Sequence, residues 1–185
     1  MSEKLIKKDL IKEIDAISDT DFEKICFEIF KQKFPEATVL HNGINIDERP
    51  VKGTVDISND NLEICMECSV EKDYFTDINY SKIDKDIQHV LKLSNNNVSE
   101  IYLYCSHVEI PSFRKEWIKS AIYRKYKSQN ISIEILGGKN IANEIYNFSV
   151  EKRSLYSTFN SILPDFKKNM ERVLVPVENR HSVTG

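Results

Sequence analysis

The chain has 185 residues, 41% hydrophobic and 30% charged, with only five Gly and five Pro. That balance excludes a disordered or fibrous protein and suffices for one domain with a sizeable core. A net charge of −3 excludes a broad pull on nucleic acid, so any such attraction has to be local.

In chain order, Leu5, Ile6, Leu10, Ile14 and Ile17 recur at helical spacing and predict a helix over 3–17. Ser18-Asp19-Thr20 stops it. Thr20 and Glu23 stand at capping-box spacing, predicting a second helix over 21–34 with Phe22, Ile25, Cys26, Ile29 and Phe30 on one stripe and Pro35 at its end. A short strand is expected at 37–41, followed by a polar loop over 42–52. The runs 54–58 and 62–70 flank Asn59-Asp60-Asn61 and predict a hairpin. A helix over 81–93 follows, broken by Asn95-Asn96-Asn97, then a strand over 101–105, a helix over 111–127 and a strand over 131–136. This strand, helix, strand order implies a parallel pair. A short helix is expected at 140–146, then one or two helices over 149–174 interrupted at Pro164. Residues 175–185 carry no clear pattern. The packing solution for such an order is α/β, a mixed sheet with helices on both faces.

No apolar run approaches the roughly 20 residues of a membrane helix. Met1-Ser2-Glu3-Lys4 lacks the apolar stretch of a signal peptide, so a cytoplasmic protein with no membrane partner is expected. Cys26, Cys65, Cys68 and Cys105 lie in apolar segments, which suits reduced, buried thiols. Cys65 and Cys68 form a C-x-x-C pair, but residues three apart on a strand point to opposite faces and cannot share one metal.

Chemistry concentrates in the predicted hairpin. Asp56 lies in its first arm and Glu67 in its second, where Glu63, Cys65, Glu67 and Ser69 share a face. Glu67 sits among apolar neighbours, where an unpaired charge is costly, and a metal ion beside Asp56 would remove that cost. Taken alone, these residues fit equally well an Asp at a strand end and a Glu paired with a lysine.

Gly53-Thr54-Val55-Asp56 followed by Ile64-Cys65-Met66-Glu67-Cys68-Ser69 resembles the core motif of the PD-(D/E)XK nucleases, the superfamily of many restriction enzymes, Mrr-like enzymes and nuclease modules of bacterial anti-phage proteins. The resemblance covers roughly residues 20–147. It implies a restriction-endonuclease-like domain at 19–148, with a helical extension at 1–18 and a helical extension and linker at 149–185. It further implies a Mg²⁺- or Mn²⁺-dependent endonuclease hydrolysing DNA phosphodiesters in antiviral defence, joined to or associated with a sensor or NTPase module. Asp56 and Glu67 would be the metal ligands, with Glu23 or Glu28 assisting from the preceding helix. The family usually carries Lys where Ser69 stands. Lys72 is the favoured substitute, with Lys82 and Lys85 the other candidates and Gln88 resembling the helix glutamine of several branches. Because Ser69 brings no positive charge, the alternative is a degenerate nuclease fold that binds nucleic acid or self-associates as a homo-oligomer.

The helix over 111–127 bears Arg114, Lys115, Lys119, Arg124, Lys125 and Lys127 against Glu116 alone. Phe113, Trp117, Ile118, Ala121 and Ile122 are expected to face the core, with Tyr123 and Tyr126 nearer the rim. The basic stripe is either a phosphate-binding surface or a solvated face. His41, His89, His107 and His181 are scattered, with no ligand spacing on one element, and are read as structural or solvent-exposed.

Overall fold

The computed structural model describes residues 2–108 and 112–171, apart from the side chains of 112–115, 153, 154 and 156. Residues 175–185 and His181 therefore lie outside the described residues, as do the side chains of Phe113, Arg114 and Lys115.

Two helices, α1 (Glu3–Asp15) and α2 (Asp19–Lys33), precede the first strand, β1 (Val39–His41). Then come β2 (Ile57–Asn59) and β3 (Ile64–Ser69), followed by α3 (Ser81–Leu93), β4 (Glu100–Cys105), α4 (Ser112–Tyr126) and β5 (Ser132–Leu136). The helices α5 (Gly138–Glu151), α6 (Arg153–Ile162) and α7 (Pro164–Glu171) close the described chain. The strands form one mixed sheet in the order β1-β2-β3-β4-β5. The first three are antiparallel neighbours, and β3, β4 and β5 run parallel. Both crossover helices, α3 and α4, pack on the same face of the sheet, as two crossovers of one hand moving in one direction must.

Each face has its own core. Ile57, Met66 and Tyr104 pack under α1, α2, α5, α6 and α7. Cys65, Ile101, Leu103 and Ile135 pack under α3 and α4. Strand alternation therefore divides the C-x-x-C pair, with Cys65 in the α3 layer and Cys68 against the α2 layer, and all four cysteines are free. The segments expected to be extensions join the main core through Ile6, Leu10 and Ile14 on one side and Leu155, Phe159 and Phe166 on the other. Among the described residues no helix is long and apolar enough to cross a membrane.

Two local expectations are corrected. The cap of α2 is Ser18, whose Oγ accepts the amide of Asp21 (3.2 Å), rather than Thr20. Starting the helix at Asp19 puts Asp19 and Asp21 in the first turn, where the helix dipole favours them. Glu23 is thereby released from capping and turns inward, 6% exposed. In α4, Ile118, Ile122 and Tyr126 are buried, while Trp117 is 43% exposed and edges onto Tyr80. The helix is rotated so that the Tyr126 hydroxyl reaches Asp84 on α3. Ser18→Ala should lower stability by about 1 kcal/mol in urea unfolding, the usual cost of a lost cap.

Candidate functional site

The hairpin register creates the site. Ile57 pairs with Met66 in the antiparallel ladder, so Asp56 faces Glu67 across the strands with both side chains on one side. Asp56 is held at both ends: its carbonyl accepts the amides of Asn42 (2.7 Å) and Gly43 (2.9 Å), and its Oδ2 accepts the amide of Cys68 (2.8 Å). The Asp56 and Glu67 carboxyls interact closely enough that a single proton shared between them is favoured over two charges. Burial, then the Asp56 charge, pushes Glu67 up to about 10. Burial also raises Asp56, to about 6, against the lowering effect of the Cys68 amide.

A third carboxylate arrives from the opposite helical layer. Gly43 has no side chain, and a β-carbon there would lie 2.5 Å from Glu23 Oε2 and 3.0 Å from Asp56 Oδ1. Both oxygens therefore border one gap that only glycine leaves open. Glu23 also meets His41 Nε2 (3.3 Å), whose ring stacks on Phe27. On the other side, His89 Nδ1 lies 3.0 Å from Glu67 Oε1. Asp86, 6% exposed, accepts from the Tyr74 hydroxyl (3.3 Å) and Lys82 Nζ (2.7 Å). The charges of Asp86 and Lys82 both act on Glu67.

The other sequence candidates lie elsewhere. Glu28 is paired with Lys31 (2.8 Å) on α2. Lys72 is exposed in the turn after β3. Lys85 and Gln88 are exposed on α3, Gln88 donating to Asp84 (3.4 Å). Lys82 comes nearest the acids in effect, lying 3.9 Å from Glu71 and within electrostatic reach of Glu67 and Asp19. Ser69 is buried, its Oγ accepting the Glu71 amide (3.2 Å). On α4, Lys119 is half-buried, Arg124 and Lys127 are exposed, and Lys125 is drawn to Asp84 (2.7 Å). His41, His89 and Asp86 were not singled out as site residues. Lys82, Asp86 and His89 stand at helical i, i+4, i+7 spacing, the one signal that would have gathered them.

Among the described residues no three His, Cys, Asp or Glu side chains form a preformed metal cage. What the arrangement offers is a shared proton between Asp56 and Glu67, flanked by Glu23.

That proton predicts a pH signature. The native pKa of Glu67 lies above its unfolded value of 4.5, so its favourable contribution is full below about pH 4 and is lost as pH rises toward 10. Glu67→Gln should accordingly be more stable than the wild type at pH 8, by on the order of 2 kcal/mol, and nearly equal to it at pH 4. Urea unfolding at the two pH values checks this. A variant less stable at pH 8 would mean that Glu67 is charged and paired in the native protein.

Comparison of the chain with known family models, curated proteins and solved structures finds no match.

Proposed function

We propose that the chain is a divalent-metal-dependent endonuclease domain of the PD-(D/E)XK type, hydrolysing DNA phosphodiester bonds as an effector of bacterial defence. The observation that carries this reading is the opposed Asp56–Glu67 pair, with Glu23 bordering the same gap at Gly43. The order of elements supports it too: a helix, an antiparallel hairpin bearing the acids, then helix and parallel strand.

The residues suit Mg²⁺ or Mn²⁺, because the converging donors are carboxylate oxygens, the hard ligands such ions prefer. Asp56 and Glu67 would hold the ion, with Glu23 assisting. When bound, it would supply Lewis acidity at the phosphate and a more acidic water. The chain's own groups do the rest. The Cys68 amide fixes Asp56, and His89 steers the Glu67 carboxyl. Lys82 brings positive charge to the side where Ser69 has none. Its neighbour Asp86 anchors it at 2.7 Å, so the ammonium is oriented from α3 rather than from β3.

Ser69 favours the second reading, a degenerate nuclease fold that binds nucleic acid or self-associates without cutting. Incubation of the full chain with closed circular plasmid and Mg²⁺ or Mn²⁺ separates the two. Metal-dependent nicking abolished by chelation supports the enzyme. Its absence, in dilute and in clustered protein alike, leaves the degenerate reading.

A further inference from the structure

Residues 43–51 project beside the acids as a braced finger. At its root Val51 donates its amide to the Gly43 carbonyl (2.7 Å), and Ile44 pairs with Pro50. At its tip Asn45 Oδ1 accepts the amides of Asp47 (3.0 Å) and Arg49 (2.9 Å), while the Asn45 amide donates to the Arg49 carbonyl (2.9 Å). Glu48 adopts the left-handed region (φ 58°) and reaches back to Lys24 on α2 (2.9 Å), the neighbour of Glu23. So many ties hold the segment in one shape. At its end stands Ile46, 99% exposed, the most exposed large apolar side chain among the described residues.

The surroundings of Ile46 narrow what it can meet. Asn45, Asp47, Glu48 and Arg49 are all exposed and polar, and the exposed Pro50 and Val51 lie at the root, so the tip itself presents a single large apolar side chain. A narrow apolar point fits between stacked bases, where aliphatic wedges fill the gap of an opened step. Arg49 and Lys52, both exposed on the same segment, can meet phosphates; of the two acids there, Glu48 is tied to Lys24 and Asp47 is exposed beside Ile46. The root of the finger is Gly43, which borders Glu23 and Asp56. The finger therefore starts at the acids, and a duplex lying across them would meet its root.

We infer that Ile46 is a wedge that enters the base stack of duplex DNA bound at the Asp56–Glu67 site, opening a base step beside the phosphate to be cut. The inference rests on the nuclease reading and adds to it how the substrate is held. Its test uses the full chain carrying Glu67→Gln, so that bound DNA stays intact. Closed circular plasmid is saturated with this protein, relaxed with a topoisomerase and stripped of protein, and its linking number is measured. A wedge unwinds the duplex, so the linking number should fall below that of plasmid relaxed alone. Adding Ile46→Ser should abolish the fall while changing the affinity for a short duplex by no more than about threefold, because phosphate contacts dominate affinity. Ile46→Met, another apolar wedge, should preserve the fall. An equal fall with Ile46→Ser, or binding without any fall, overturns the wedge and leaves the nuclease reading standing. Failure of the Glu67→Gln protein to bind duplex DNA overturns both.

Discussion

Glu67→Gln and Asp56→Asn are each expected to reduce metal-dependent plasmid nicking by about 10³-fold or more, to the level of the chelated control. The two carboxyls meet across the hairpin, and each variant removes one of the oxygens a divalent ion would need. A folding defect is not the expected cause. Glu67→Gln keeps a group that can donate to Asp56, and it removes a carboxyl whose ionisation opposes folding. A second readout is independent of cleavage. Mn²⁺ should raise the melting temperature of the wild type by mass action and leave Asp56→Asn unmoved. A variant that still nicks at the wild-type rate would detach the activity from this site, and a wild type indifferent to Mn²⁺ would remove the metal.

Lys82→Ala should cost cleavage about 10²–10³-fold, the loss typical of one transition-state donor. Lys72→Ala should cost little, because Lys72 stands exposed in the turn, whereas Lys82 is tied to Asp86 and acts on Glu67. Lys85→Ala is the comparison on the same helix, since Lys85 is exposed and outside the i, i+4, i+7 row of Lys82, Asp86 and His89. Loss with Lys72→Ala and none with Lys82→Ala would return the role to the end of β3. If all three variants cut normally, positive charge comes from elsewhere and the mechanism proposed for Lys82 fails. Ser69→Lys should add little to an active enzyme, because Ser69 is buried with its hydroxyl committed to the Glu71 amide, and a lysine there would have to displace that contact.

The two arms of the hairpin, with one acid on each, were legible from strand alternation and the turn residues, but the register was not. A turn at Asn59-Asp60-Asn61 would pair Asp56 with Ile64 and put Glu67 on the other face, whereas Asn59 ends β2, Ile64 starts β3, and Ser58 pairs with Cys65, which brings Asp56 opposite Glu67. The break after α3 was equally legible, since Asn95 and Asn96 take the left-handed backbone that Asn tolerates (φ 52° and 58°). Glu23 could be named only as one of two helix acids. Choosing it over Glu28 required the rotation of α2, which depends on the Ser18 cap and on where Phe22 and Ile25 pack. His41 and His89 were illegible for a different reason. Each contacts its carboxylate across a long stretch of sequence, from β1 to α2 and from α3 to β3, and no local period encodes such a meeting. The exposure of Trp117 likewise escaped, because Ile118, Ile122 and Tyr126 form the buried stripe, with Tyr126 tied to Asp84, and Trp117 falls beside it.

The lacing of α1 to α7 has a consequence for synthesis. Glu13 accepts the amides of Asp165 (3.0 Å) and Phe166 (2.9 Å), supplying the start of α7 with its cap, and Ile6, Leu10 and Ile14 are buried in a core completed by Ile141, Phe159, Phe166 and Met170. A nascent chain leaves the ribosome from its N-terminus, so α1 emerges with its apolar stripe exposed and no partner yet made. It must wait for about 150 further residues, roughly ten seconds or more at common elongation rates. Through that interval the first helix is the segment most in need of shielding by a chaperone, and folding of the α1 layer waits until α7 has emerged.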